Sequence, residues 1–237
     1  MEEQYMETHN KIDTVIFDLD GTLLYTLEDL TDATNYALAA CGMPLRALDE
    51  VRQFVGNGIR NLMRRAVPDG EDNPRFEEAF TVFRGYYQDH CNDKTRAYEG
   101  VQALLAQLKE QGYALAIVSN KVDAAVKALR DKYFKEVSVA IGDREGMARK
   151  PAPDSVELAL RELGKQKEQA VYIGDSDVDL QTAVNAGLPC ISVLWGFRDK
   201  AFLVEHGASI FAKSPREVID QIQNIKDSNK KILREGL

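Results

Sequence analysis

The sequence predicts an α/β protein: a parallel-sheet core with helices on both faces and an inserted all-helical cap domain. Short apolar runs rich in Val and Ile recur along the 237 residues, helical stretches separate most of them, and one long interval holds helical patterns alone. Parallel strands covered on both faces read as continuous apolar runs, and the crossover between parallel neighbours needs a helix-sized connection.

The first run, Thr14-Val15-Ile16-Phe17, predicts the first strand. From about Leu27 to Ala97 no strand pattern follows. Helical patterns cover Glu28 to Ala40, Leu48 to Phe54, Gly58 to Ala66 and Phe76 to His90, punctuated by Gly42-Met43-Pro44 and Pro68-Asp69-Gly70. The simplest account is a helical cap domain at 26–97, inserted into a core domain formed by 1–25 and 98–237. The core resumes with a helix from Val101 to Glu110 before Gly112, then strands at Ala114 to Val118 and Val137 to Ile141. A helix from Ser155 to Leu163 ends before Gly164, a strand spans Ala170 to Ile173, a helix from Asp179 to Ala186 ends before Gly187, and a last strand spans Cys190 to Leu194. Glycine just past a helix is a stop signal because it accepts the left-handed backbone there. The alternation makes the core Rossmann-like, and a helical lid on such a core gives a closable site. Polar, lysine-rich Gln221 to Leu237 reads as a helix with a frayed tail, and the residues around His9 as a loose extension.

Composition narrows the function. Hydrophobic residues at 44% and charged residues at 29% are those of a globular chain. A formal charge of −8 lacks the basic footprint of a nucleic-acid or anionic-membrane binder, so neither partner is expected. No window approaches the roughly 20 apolar residues of a membrane span, and the acidic start Met-Glu-Glu-Gln-Tyr is unlike a signal peptide, so a cytoplasmic location is expected. Cys41, Cys91 and Cys190 are odd in number and far apart, which predicts reduced packing thiols. His9, His90 and His206 share no metal spacing and read as surface residues.

Ligands of open parallel sheets bind where strands end and helices begin. After the first strand comes Asp18-Leu19-Asp20-Gly21-Thr22, after the second Ser119-Asn120, after the third a loop ending Lys150-Pro151, and after the fourth Gly174-Asp175-Ser176-Asp177-Val178-Asp179. Each cluster alone has a bland explanation: a polar turn, a helix N-cap, a solvated lysine. Together, in order and at strand ends, they predict one site. Asp18 and Asp20, two positions apart at a buried strand end, repel each other and lose hydration unless a cation offsets them. An all-oxygen set with Asp175 favours Mg²⁺. Gly21 lets the backbone turn away and frees amides for an anion, Lys150 supplies positive charge for a phosphoryl group, and Ser119 a neutral donor.

On these four motifs, spanning Asp18 to Asp179, the chain resembles the haloacid dehalogenase-like hydrolase superfamily. The resemblance implies that Asp18 attacks phosphorus to form an aspartyl-phosphate, while Asp20 protonates the leaving oxygen and later takes a proton from the hydrolytic water. It implies that Ser119 and Lys150 hold the transferring group, with Gly21, Thr22 and Asn120 at the phosphate. Asp18, the main-chain carbonyl of Asp20, and Asp175 would hold Mg²⁺. Asp179 would either join the metal shell or orient Lys150. The carboxylate at position 20 separates the chain from the dehalogenases, which lack one, and from ion-pump ATPases, which carry Thr. The segment Phe54 to Ala66 is similar to the cap segment of phosphoglycolate phosphatases, where Asn57, Gly58 and Arg65 would meet the substrate's anionic end. Arg60 and Arg64 read instead as a solvated helix face. Leu194-Trp195-Gly196-Phe197-Arg198 is similar to the matching segment of these phosphatases, with Trp195 read as packing. The expected protein is a phosphatase of a small phosphate ester, phosphoglycolate-type, working as a monomer or homodimer. The alternatives are a β-phosphoglucomutase-like phosphomutase and a pyrophosphatase or nucleotidase on the same core.

Overall fold

Strand β1 (Thr14–Phe17) has four buried residues and opens the part of the chain that the computed structural model describes, residues 12–235. The chain divides into two compact units. One takes the described residues up to Thr22 and those from Glu99 onward; the other is Leu23–Tyr98.

In the Leu23–Tyr98 unit, β2 (Leu24–Tyr25) precedes α1 (Leu27–Ala40), α2 (Leu48–Phe54), α3 (Gly58–Ala66), α4 (Phe76–His90) and β3 (Arg96–Ala97). The two short strands pair antiparallel where no strand pattern is visible, because two residues carry no periodicity. The unit is therefore helical with a small ribbon at its ends, not all-helical. The buried Asp29 carboxylate, one turn into α1, accepts from the amides of Lys94 and Thr95 at 2.9 and 2.8 Å and ties the returning chain to the helix. Arg60 is more than a solvated face: its guanidinium lies over Phe76 and Phe80 at 5.0 and 5.3 Å and pairs with Glu71 and Glu77. Such contacts pin α3 to α4.

In the other unit, β4 (Ala114–Val122), β5 (Val139–Asp143), β6 (Ala170–Gly174), β7 (Cys190–Val193) and β8 (Phe211–Ala212) join β1 in a six-stranded sheet ordered β5-β4-β1-β6-β7-β8. Every pairing is parallel. The helices are α5 (Val101–Glu110), α6 (Asp123–Tyr133), α7 (Asp154–Leu163), α8 (Asp177–Ala186), α9 (Lys200–Glu205) and α10 (Pro215–Glu235). Ile16, Ala116, Val118, Ala170 and Tyr172 pack against Val156, Ala159 and Ala183 of α7 and α8. Their strand neighbours Val15, Phe17, Leu115, Ile117, Val171 and Ile173 point to the opposite face and are equally buried, so both faces are covered.

The strands differ from expectation in three places. β4 runs on to Val122 with an irregular register after Val118, so Ser119 and Asn120 lie within the strand instead of after it. β5 begins at Val139, two residues later than expected, and β8 was too short to be visible in the sequence. The chain also moves outward from β1 through β4 to β5 and then crosses back to β6. The order reverses between β1 and β6, which makes their carboxyl ends the switch point where a ligand fits. No described helix is long and apolar enough to cross a membrane. The extension around His9 and the last two residues of the expected tail lie outside the described residues.

Candidate active site

Asp18 sits at the switch point because its amide continues the β1–β6 ladder, donating to the Ile173 carbonyl at 2.9 Å. Its Oδ1 accepts from the Lys150 ammonium at 2.6 Å. That ammonium also donates to Asp179 Oδ1 at 2.7 Å and to the Tyr172 hydroxyl at 3.0 Å. All four residues are buried, Lys150 at 5% exposure, so the solvated-lysine explanation fails. The capping of α8 explains the aim of Asp179. Ser176 is the N-cap; its hydroxyl accepts from the Asp179 amide and donates to Asp179 Oδ2 at 2.6 Å. The amides of Asp175 and Ser176 also reach Oδ2, which leaves Oδ1 for Lys150 and Tyr172. Of the two roles open to Asp179, the geometry supports the orientation of Lys150.

Asp18, Asp175 and Asp179 each offer a carboxylate oxygen within 4.8 Å of the others, all buried. Three carboxylates gathered round one ammonium, with Arg198 as a more distant cation on Asp175, leave an excess of negative charge in a place with little water, which a divalent cation would offset. Because Asp179 is saturated by donors, Asp18 and Asp175 are the pair able to hold it. The same crowding shows in the electrostatics. Burial, then repulsion from Asp179, outweighs Lys150 and raises Asp18 well above the usual carboxylate range. Burial and Asp179 push Asp175 up to about 7. Burial alone would depress Lys150, but Asp179, Asp18 and Tyr172 hold it well above an ordinary lysine. The residues fit a hard cation such as Mg²⁺.

A pH dependence follows. In the metal-free protein Asp175 keeps its proton up to about pH 7, whereas unfolded aspartate loses it near 3.8, so its contribution to stability declines as pH rises through that window. A cation must displace that proton. The rise in Tm on adding Mg²⁺ is therefore expected to be small at pH 5.5 and to grow toward pH 8 in thermal melts with and without chelator. A rise that does not change with pH would contradict the shared site.

The remaining predicted residues divide. Gly21, at φ 94°, is required: a Cβ there would run into the Asp175 carboxylate. Thr22 turns inward, its hydroxyl 3.4 Å from Asp175 Oδ1 and its carbonyl accepting from the Trp195 indole at 3.0 Å. The Asn120 side chain is likewise engaged within the site. Its amide donates to the Lys150 carbonyl at 3.0 Å and its oxygen accepts from the Lys150 amide at 2.9 Å, a reciprocal pair that sets the backbone of the lysine. Ser119 is buried, its hydroxyl accepting from the Lys121 amide at 3.2 Å. The Asp20 carboxylate lies outside the group formed by Asp18, Asp175 and Asp179 and meets the Lys121 ammonium at 3.2 and 3.4 Å. Asn57, Gly58 and Arg65 belong to the other unit. Asn57 caps α3 without a side-chain bond, its carbonyl accepting from Asn61; Gly58 has φ 79°; Arg65 donates to the Phe54 carbonyl at 2.9 Å.

Three contributors were missed in the sequence. Tyr172 was hidden in an apolar run, and Lys121 follows its motif directly. The turn after β7 is the third: the Phe197 amide donates to Asp175 Oδ2 at 2.7 Å, and a Cβ on Gly196 would come within 2.6 Å of the Gly21 carbonyl. Trp195, read as packing, thus carries a polar contact as well. The glycine in Trp195-Gly196-Phe197 was the signal, since glycine marks close backbone approach.

The chain is similar to known proteins over most of its length. The family model described as haloacid dehalogenase-like hydrolase matches residues 15–193. Phosphoglycolate phosphatase 1 of Pseudomonas aeruginosa is 34% identical over 221 residues, 89% of this chain and 77% of that protein. The phosphoglycolate phosphatase of Nitrosococcus oceani is 32% identical over 90% of this chain and 94% of its own. A crystal structure from Lactobacillus delbrueckii subsp. bulgaricus superposes with a TM-score of 0.86 at 34% identity, covering 90% of this chain and 98% of that one.

Proposed function

This chain belongs to the haloacid dehalogenase-like hydrolase family, and on that premise we propose that it is a Mg²⁺-dependent phosphomonoester hydrolase acting on a small phosphorylated acid of the phosphoglycolate type. The observation that carries the chemistry is the buried Asp18 carboxylate, held by Lys150 and within reach of Asp175. The relatives' names supply the substrate class.

Asp18 attacks phosphorus through the oxygen not engaged by Lys150, and the bond from phosphorus to the substrate oxygen breaks as the aspartyl-phosphate forms. Asp20 gives its proton to the departing oxygen, then takes one from the water that attacks the aspartyl-phosphate and releases phosphate. Lys150 stays an ammonium throughout and offsets the charge that builds on the nucleophile and the phosphoryl oxygens; the Ser119 hydroxyl donates to one of those oxygens. Mg²⁺, held by Asp18, Asp175 and the Asp20 carbonyl, would supply further charge stabilisation at the phosphoryl group. A cytoplasmic location, as a monomer or homodimer working on a free metabolite, belongs to the same proposal; the charge of −8 and the free cysteines support it.

The test is phosphate release, with Mg²⁺, from phosphoglycolate, hexose phosphates, nucleotides and pyrophosphate. The highest kcat/KM is expected for phosphoglycolate, with activity lost in chelator. Preference for pyrophosphate or a nucleotide would move the substrate class, and transfer between sugar positions without phosphate release would make the protein a mutase.

A further inference from the structure

Asp20 has a difficulty that the catalytic scheme leaves unsolved. Its side chain is 18% exposed, and it stands just before the turn at Gly21 to Leu23, so burial does not hold its carboxyl at one orientation. A proton donor is effective only within hydrogen-bond reach of the oxygen it protonates, and misplacement by about 1 Å costs on the order of 10²-fold. Resting on the phosphatase reading above, we propose that Lys121 is the positioning residue for Asp20, fixing its carboxyl against the leaving group.

Three observations converge on residue 121. Its side chain is 6% exposed and its ammonium lies 3.2 and 3.4 Å from the two oxygens of Asp20, a contact bridging 101 residues of sequence. Its amide donates to the Ser119 hydroxyl at 3.2 Å, so one residue sets both the acid-base carboxyl and the phosphate donor. Its own main chain lies close against β5: a Cβ on Gly142 would come within 2.5 Å of the Lys121 carbonyl. Asp123 Oδ1 accepts from the Gly142 amide at 2.9 Å and closes the clamp. An ammonium on a long flexible stem is held here by buried strand structure, so the ordering that Asp20 lacks by itself is supplied by the sheet. Lys121 exchanges no proton: the proton of Asp20 goes to the leaving oxygen, and the ammonium stays charged while donating to the carboxyl.

The proposal predicts a dependence on the leaving group. Glycolate is a poor leaving group and needs its oxygen protonated as the bond to phosphorus breaks, whereas p-nitrophenolate leaves without help. Lys121→Met is expected to lower kcat/KM on phosphoglycolate by about 10²-fold while p-nitrophenyl phosphate loses less than about a tenth of that factor. Lys121→Arg should restore most of the loss. In an Asp20→Asn background the Lys121→Met change should cost less than about twofold, because the two residues act as one unit. Equal losses on both esters would overturn the proposal, as would additive effects of the two changes. A rise confined to KM for phosphoglycolate would also overturn it and assign Lys121 to the substrate's acid group. If the unaltered protein hydrolyses neither ester, it is the phosphatase reading that fails, not the pairing of Lys121 with Asp20.

Discussion

Asp18→Asn is expected to leave less than about one per cent of turnover while the metal-free protein melts at the same temperature or higher. Loss of activity follows from chemistry: an amide nitrogen or oxygen cannot replace the carboxylate as the covalent nucleophile. Retained stability follows from the site's electrostatics. Burial and Asp179 together outweigh the attraction of Lys150, so the ionised carboxylate is disfavoured in the fold. A raised folded-state pKa means that the contribution of Asp18 to stability is lost as pH rises, and a neutral isostere removes that loss. The gain in Tm should therefore be larger at pH 8 than at pH 5.5. Steady-state kinetics and melts in chelator check both halves. Activity above about a per cent would contradict covalent catalysis by this side chain, and a large fall in the metal-free Tm would contradict the balance of charges around it.

Lys150→Ala moves both quantities in the same direction. Its ammonium is bonded to Asp18, Asp179 and Tyr172. Removing it leaves Asp18 and Asp179 buried beside each other, and breaking a buried pair in this way costs roughly 3–5 kcal/mol. Asp179 and Asp18 hold the Lys150 ammonium well above an ordinary lysine, so its contribution is fully present at neutral pH and is lost only in strong alkali. Turnover should fall on the order of 10³-fold, since one preorganised charge in a dry site contributes several kcal/mol to the transition state. Lys150→Arg should not rescue it, because a planar guanidinium cannot replace a compact ammonium among three acceptors. Urea unfolding and kcat/KM measure the two effects. Unchanged kinetics would take Lys150 out of the mechanism.

Much of the fold was legible because its signals are local. A strand buried on both faces needs only its own residues to declare itself, and Thr14–Phe17 and Ala170–Gly174 did. Glycine after a helix works in the same way at Gly164 and Gly187, both left-handed C-caps. The ribbon of Leu24–Tyr25 with Arg96–Ala97 and the edge strand Phe211–Ala212 were invisible because two residues cannot show a period. Asp18 and Asp175, each directly after a buried strand, were legible for the further reason that a carboxylate in such a place is costly without a purpose.

Their partners were not legible. From sequence, Asn120 was as suited to a phosphate as to the Lys150 backbone, Asp179 as suited to a cation as to a lysine, and Trp195 looked like packing alone. Sequence by itself pointed to Asp18, Lys150, Asp175 and Asp179 as groups of one site with an excess of acid. Tertiary structure alone decided which group holds which: Lys150 reaches Asp18 across 132 residues and Lys121 reaches Asp20 across 101. A pattern along the chain reports forces that act within a few residues, whereas a buried charge takes whichever partner the sheet order brings beside it.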